Sequence, residues 1–352
     1  MSAENEVWPV EKANAWLQEN GFRAGCNFSP STAINQLEMW QAETFDPATI
    51  DKELGFAEGL GFNAMRVFLH SIPWDQDKDG FLKRINQYLE IADKHKIKTL
   101  FVLFDSCWDP FPKAGKQREP KPHLHNSGWV QCPGLEILKD PARHDSLKGF
   151  VQGVIGALKS DKRVLGWDLF NEPDNRNNPA YVKFEPENKP ALALTLITKA
   201  FAWAREIKPE QPLTAAPWMG PWADANKLSA IDKFMFENSD VISFHCYGNL
   251  DEMKRCVTNL RRYNRPIICS EYMCRATGSK FDPHLGYMKD EKVAAINWGL
   301  VSGKTQTIYP WDSWTKQYTA EPPLWFHDVL RPDGSLFDPK EGEYIRKVMG
   351  KQ

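Results

Sequence analysis

Strand-like and helix-like runs alternate along nearly the whole chain, and this alternation limits the possible folds more than any other feature. Strand-like runs occur at 22–29, 62–70, 97–105, 165–170, 212–219, 240–247, 266–273 and 304–309. Between them lie helical patterns. One opens at Asp46-Pro47, with Asp46 as N-cap and proline in the first turn, and stops at Gly61. Others cover 81–95, 146–158, 191–207, 228–238, 250–263, 291–301 and 343–348. Eight strands alternating with helices over 352 residues predict an α/β fold, a single (β/α)8 barrel. A doubly wound open sheet is the alternative, but no Gly-x-Gly-x-x-Gly follows a strand. No repeat or linker divides the chain, so residues 1–352 read as one catalytic domain, with 1–20 an N-terminal extension packing on the barrel. Irregular, polar stretches predict long loops after strands three (106–140), four (174–190) and eight.

Composition excludes several function classes. The net charge of −2 lacks the basic excess that nucleic acid or an anionic membrane surface requires. No apolar run reaches the ~18 residues of a membrane span. The polar stretch 1–11 has no apolar signal core, so the chain is not written as a secretory precursor. The seven cysteines read as buried free thiols, and without a His-Glu-x-x-His or paired Cys-x-x-Cys no metal or other cofactor is expected. Aromatics are abundant, and Trp74, Trp108, Trp218, Trp222, Trp311 and Trp314 fall just after strand-like runs. Flat sugar C–H faces stack on such rings, so a tryptophan rim points to a saccharide cleft.

A barrel of this kind collects its chemistry at the C-terminal ends of the strands. The fourth run ends in Leu165-Gly166-Trp167-Asp168-Leu169-Phe170-Asn171-Glu172-Pro173. Proline cannot continue a ladder, which leaves Glu172 at a strand tip. A second glutamate ends the seventh run, Ile267-Ile268-Cys269-Ser270-Glu271. Strands four and seven of a closed eight-stranded barrel face each other across the mouth, and paired carboxylates across a cleft are what glycoside hydrolysis needs. Arg66 is suited to hold a carboxylate ionised, His245 and Tyr247 share one face of strand six, and Asp168 below Glu172 reads as structural. In the loop after strand three, His123, His125, Asn126 and Trp129 suggest function rather than filler.

The decapeptide 165–174, with Arg66, His245-Cys246-Tyr247, Glu271 and Trp311 in order, resembles the cellulase-like glycoside hydrolase family 5 of the retaining (β/α)8 clan. The resemblance covers about residues 20–350 and implies roles by position. Glu172 would be the acid/base and Glu271 the nucleophile. Asn171 would bind the sugar 2-hydroxyl. Arg66 and Tyr247 would orient Glu271 and keep it charged, His245 would sit near the acid/base, and Trp311 would floor the −1 subsite at the end of strand eight. Trp108, His125, Asn126 and Trp218 are further substrate-binding candidates.

The loop 106–140, with a charged, proline-rich insertion at 110–122, departs from a plain cellulase loop and would wall off one end of the cleft. That favours an exo-acting or oligosaccharide-preferring enzyme on gluco-, manno- or xylo-configured β-glycosides. An endo-β-1,4-glucanase, mannanase or xylanase is the alternative within the class. Outside it stand a carbohydrate-binding barrel without chemistry and a metal-dependent hydrolase using His70, Asp105 and His245. The expected partner is an oligosaccharide or polysaccharide substrate, and no feature encodes an oligomeric state. Free cysteines point to a reducing interior, and the resemblance to a secreted or periplasmic enzyme whose signal is absent.

Overall fold

The computed structural model describes residues 6–351. Its strands are β1 (Ala24–Asn27), β2 (Ala64–Phe68), β3 (Lys98–Asp105), β4 (Val164–Asn171), β5 (Leu213–Ala216), β6 (Ile242–His245), β7 (Ile267–Glu271) and β8 (Val293–Trp298). All neighbouring pairs are parallel, in the order β5-β4-β3-β2-β1-β8-β7-β6. With helices packed outside, this is a (β/α)8 barrel.

The seam between β5 and β6 is closed by two side-chain bonds and one backbone bond. Thr214 Oγ1 donates to Ser243 Oγ at 2.9 Å. Asp240 takes the place of a ladder rung: its N–H donates to Leu213 O, and its Oδ2 accepts from Leu213 N at 2.8 Å. The same carboxylate accepts two bonds from Arg205, at 2.7 and 2.8 Å, and one from Trp8 N at 2.7 Å.

Local signals act as expected at the helix Pro47–Leu60. The Asp46 side chain accepts from Thr49 N, and Gly61 ends the helix in the left-handed region at φ 87°. Gly25 serves close approach, because a Cβ there would lie 1.6 Å from Ala64 O. Beneath the barrel, Ala64, Leu165, Val241, Ile268, Ala294 and Ile296 form a small apolar plug, covered by Trp16 of the helix Val10–Asn20. Residues 1–5 of the expected N-terminal extension lie outside the described residues.

One strand differs from expectation. The stretch 291–301 reads as a helix and 304–309 as the eighth strand, but β8 is Val293–Trp298 and the helix before it is Phe281–Asp290. Its residues Val-Ala-Ala-Ile-Asn are all buried, so the strand lacks the alternation that marks a half-exposed one. Trp298, not Trp311, therefore ends β8. Trp311 begins a short 3-10 helix, Trp311–Trp314, inside the loop 299–338.

Candidate active site

At the end of β4 the backbone turns sharply. Glu172 sits at φ 47°, and its N–H donates to Ala216 O at 2.8 Å. A register shift between Asp168 and Asn171 accompanies the turn, as bulges beside functional sites do. The Glu172 side chain is buried. Its Oε1 lies 2.5 Å from His245 Nδ1, and its Oε2 accepts from Asn175 Nδ2 at 2.7 Å and from the Cys107 thiol at 2.9 Å. Across the mouth, Glu271 ends β7. It accepts from Arg66 Nη1 at 2.9 Å on Oε1 and from the Tyr247 hydroxyl at 2.6 Å on Oε2. Side-chain oxygens of the two glutamates lie within 4.8 Å of each other and of His245.

Both carboxyls are harder to ionise than usual. Burial pushes Glu172 up to about 6, against the opposing pull of the thiol and Asn175. It pushes Glu271 up to about 7, helped by the Glu172 charge and opposed by His245, Arg66 and Tyr247. Arg66 is expected to keep Glu271 charged. Arg66 acts in that direction, but its guanidinium is shared. Nε and Nη2 donate to Asp168 Oδ2 at 3.0 and 2.8 Å, and Nη2 also reaches Asn171 Oδ1 at 2.7 Å. One buried cation faces Asp168 and Glu271, with Glu172 and Asp105 near by, so protons are retained.

Asn171 is held at both ends, by Arg66 and by Asp105, whose Oδ1 accepts from Asn171 Nδ2 at 2.9 Å. Asp105 also accepts from Trp129 Nε1 at 2.6 Å. Burial lifts Asp105 to about 6 and lowers His245 to about 4.

These groups open into a cavity of about 220 Å³. Of the candidates, Asn171, Tyr247, Trp311, Trp108, His125, Asn126 and Trp218 line it with both glutamates. Arg66 and His245 lie beneath, fully buried, and act through the carboxylates they touch. Sequence reasoning missed Cys107, Asn175, Trp298 and His327, which also line the cavity. Their signal is position: Trp298 ends β8, and Cys107 and Asn175 lie just past the tips of β3 and β4. Nothing local marked His327.

The trio His70, Asp105 and His245 is not assembled as a metal site. His70 uses both ring nitrogens, on Gln131 O and Ile72 N. Among the described residues only Glu172, His245 and Glu271 converge closely enough for a metal ion, and donors within the protein already occupy both carboxylates.

The loop after β3 is fastened to the loop after β8. Asn126 N donates to Thr305 O at 2.8 Å, His125 N to Ser313 Oγ at 3.0 Å, and Trp314 Nε1 to His125 O at 2.8 Å. His123 Nδ1 lies 2.6 Å from the Tyr309 hydroxyl, and Trp108 stacks on Trp314 with centroids 5.7 Å apart. The two loops make one continuous wall.

No protein-family model matches the chain. Over 151 residues it is 26% identical to a mannan endo-1,4-beta-mannosidase of Mytilus edulis, a stretch that covers 40% of this chain and 36% of that one. The chain thus spans about a third of that relative's length. Among solved structures it is similar to the GH5_18 protein of Streptomyces cattleya in complex with Manb1-4GlcNAc, with a TM-score of 0.62 and 13% identity over 93% of this chain and 80% of that one. This is the fold of the family 5 glycoside hydrolases. The chain is also similar in fold to an endo-1,4-beta-mannanase of Rhizomucor miehei, with a TM-score of 0.59 and 15% identity over 90% of this chain and 94% of that one. The beta-mannanase of Mytilus edulis gives a TM-score of 0.53 at 16% identity over 79% and 86%.

Proposed function

We propose that this chain is a retaining β-glycosidase acting at the ends of short oligosaccharides, with β-mannosides the first substrates to test. One observation carries the reading: two buried glutamates on β4 and β7 face one cavity with oxygens within 4.8 Å. Retention calls for carboxyls about 5–5.5 Å apart, and inversion for ~6.5–9.5 Å.

The roles follow from the partners. Glu271 is ion-paired to Arg66 and hydrogen-bonded to Tyr247, so negative charge is best held there. Among the described residues, Glu172 has no lysine or arginine at contact distance. Burial raises Glu271 the further of the two in the resting pair, so the productive form is the arrangement of the shared proton that leaves it on Glu172 and the charge beside Arg66. In the first step a Glu271 oxygen bonds to the anomeric carbon while Glu172 protonates the departing glycosidic oxygen. The bond to the leaving group breaks, and a glycosyl ester remains on Glu271. Glu172, now ionised, takes a proton from water, the resulting hydroxyl attacks the anomeric carbon, and Glu271 is released as carboxylate. Asn171 is fixed by Arg66 and Asp105, and its second amide hydrogen meets only the Cys107 sulfur at 3.7 Å, a weak acceptor that a sugar 2-hydroxyl would replace.

The wall made by the β3 and β8 loops supports action at chain ends, and the names of the structural relatives support mannose. Internal cleavage is the second reading, favoured by the relative named as an endo-mannosidase. Purified protein and Glu271→Ala are assayed on β-1,4-oligosaccharides of mannose, glucose and xylose, with the anomer of the first product followed by NMR. Monosaccharide of retained configuration, absent with Glu271→Ala, is the expected result. Internal products favour the second reading, and an inverted product or equal activity of the variant overturns both.

A further inference from the structure

The wall between the β3 and β8 loops turns two imidazoles towards the cavity, and the mechanism above uses neither. His125 and His327 are 2% and 1% exposed, their ring centroids are 5.4 Å apart, and both line the cavity. Each is anchored in the same way. His125 Nδ1 lies 2.7 Å from Tyr309 O, and His327 Nδ1 lies 2.6 Å from Met273 O. A carbonyl oxygen only accepts, so each Nδ1 carries a proton and donates it. Burial lowers His125 to about 4 and His327 well below its ordinary value, so both rings are neutral near pH 7.

A neutral ring protonated on Nδ1 presents a bare lone pair on Nε2. Among the described residues the two rings make no other hydrogen bond, and with Nδ1 turned to the backbone, Nε2 is the polar atom left for the cavity. Asn126 stands beside them, buried, and its Oδ1 also lacks a partner. Acceptor atoms that line a cavity without a partner in the protein are free to meet O–H donors of a ligand. No lysine or arginine lines the cavity, whereas Asp105, Glu172 and Glu271 do.

We propose that this wall recognises the non-reducing terminal sugar by accepting hydrogen bonds from its hydroxyl groups on Nε2 of His125 and of His327. It therefore selects neutral sugars with free hydroxyls over carboxylated, capped or extended ones. The inference rests on the reading of the cavity as a sugar site.

Its test is equilibrium binding to the wild-type protein, by calorimetry, of the methyl β-glycosides of mannose and glucose. Their 4-deoxy-4-fluoro and 6-deoxy-6-fluoro analogues, their 4-O-methyl ethers and the matching uronates complete the panel. Fluorine accepts but cannot donate, so at least one fluoro analogue of the preferred sugar should bind about tenfold more weakly or worse. The ether and the uronate should fail to bind. His125→Gln keeps an acceptor and should keep the preference for hydroxyl over fluorine. His125→Phe should lose it while retaining the wild-type circular dichroism spectrum. Fluoro analogues or uronates that bind like their parents overturn the inference. Selective binding without hydrolysis leaves it standing and sinks the glycosidase reading; hydrolysis without selectivity does the reverse. If no sugar binds, both fall.

Discussion

The thiol of Cys107 lies 2.9 Å from Oε2 of Glu172, and Asn175 Nδ2 reaches the same oxygen at 2.7 Å. Both donors favour the ionised carboxylate, against the burial that keeps it protonated. Cys107→Ala removes one donor. The Glu172 pKa should rise further, extending activity to higher pH with less than about a tenfold loss of kcat/KM. A pH–rate profile that superimposes on the wild type would show that the thiol does not tune the acid.

Replacing the two glutamates separates their roles. Glu172→Ala should cost about 10²–10⁴-fold in kcat on substrates with poor leaving groups, and far less on activated aryl glycosides. Glu271→Ala should be inactive on both. Added azide should give a β-glycosyl azide with Glu172→Ala and an α-glycosyl azide with Glu271→Ala. The opposite pairing of product and variant would exchange the roles.

The productive form of the pair carries one proton. With Glu172 near 6 and Glu271 near 7, that form peaks between those values. The profile of kcat/KM should be a narrow bell centred close to pH 6.5, its two limbs belonging to the pair rather than to either residue. A plateau extending to pH 9 would mean that the carboxyls are not coupled.

Stability should also depend on pH. Glu53 and Glu271 are raised to about 7, and Asp105, Glu172 and Asp328 to about 6. A carboxyl raised in the folded state binds protons there before the unfolded chain does. Its stabilising contribution is fully present below the unfolded pKa and is lost as pH rises through the folded one. His70, His125 and His245, lowered to about 4, act oppositely: their contribution is present above the unfolded value of about 6.5 and is lost as pH falls through the folded one. Five carboxyls outweigh three histidines, so Tm should climb as pH drops from 8 towards about 5, less steeply than the carboxyls alone would give. Scanning calorimetry showing a Tm that rises from pH 6.5 to 8 would contradict this.

Asp240 and Arg205 close the seam between β5 and β6. Asp240→Ala leaves a largely buried guanidinium without its counter-charge and removes the side-chain bond to Leu213 N, while the backbone bond to Leu213 O remains. A loss of about 3–5 kcal/mol is expected, read from chemical denaturation. A loss under about 1 kcal/mol would show that the seam needs no such bond.

Trp314 joins the two loops by stacking on Trp108 and by its bond to His125 O. Trp314→Ala should cost about 1–3 kcal/mol and loosen the wall, so that internal cuts in longer oligosaccharides begin to appear. An unchanged product pattern would place the control of cleavage position elsewhere.

Local rules made much of this molecule legible in its sequence. Asp46 and Gly61 bracket a helix because capping is satisfied within a few residues, and Pro173 exposes Glu172 because proline ends a ladder wherever it stands. The order of strands places β4 opposite β7, so two glutamates at run ends are legible from the sequence as neighbours in space. β8 was not legible in this way, because a strand buried on both faces has no alternation to distinguish it from a buried helix. The displacement of Trp311 into a loop followed from that. Only the tertiary structure decided which groups converge from distant segments: the Cys107 thiol on Glu172, the division of Arg66 between Asp168 and Glu271, and His327 beside His125. Such contacts depend on how loops cross the barrel mouth and on what burial does to charge, and neither quantity is carried by spacing along the chain.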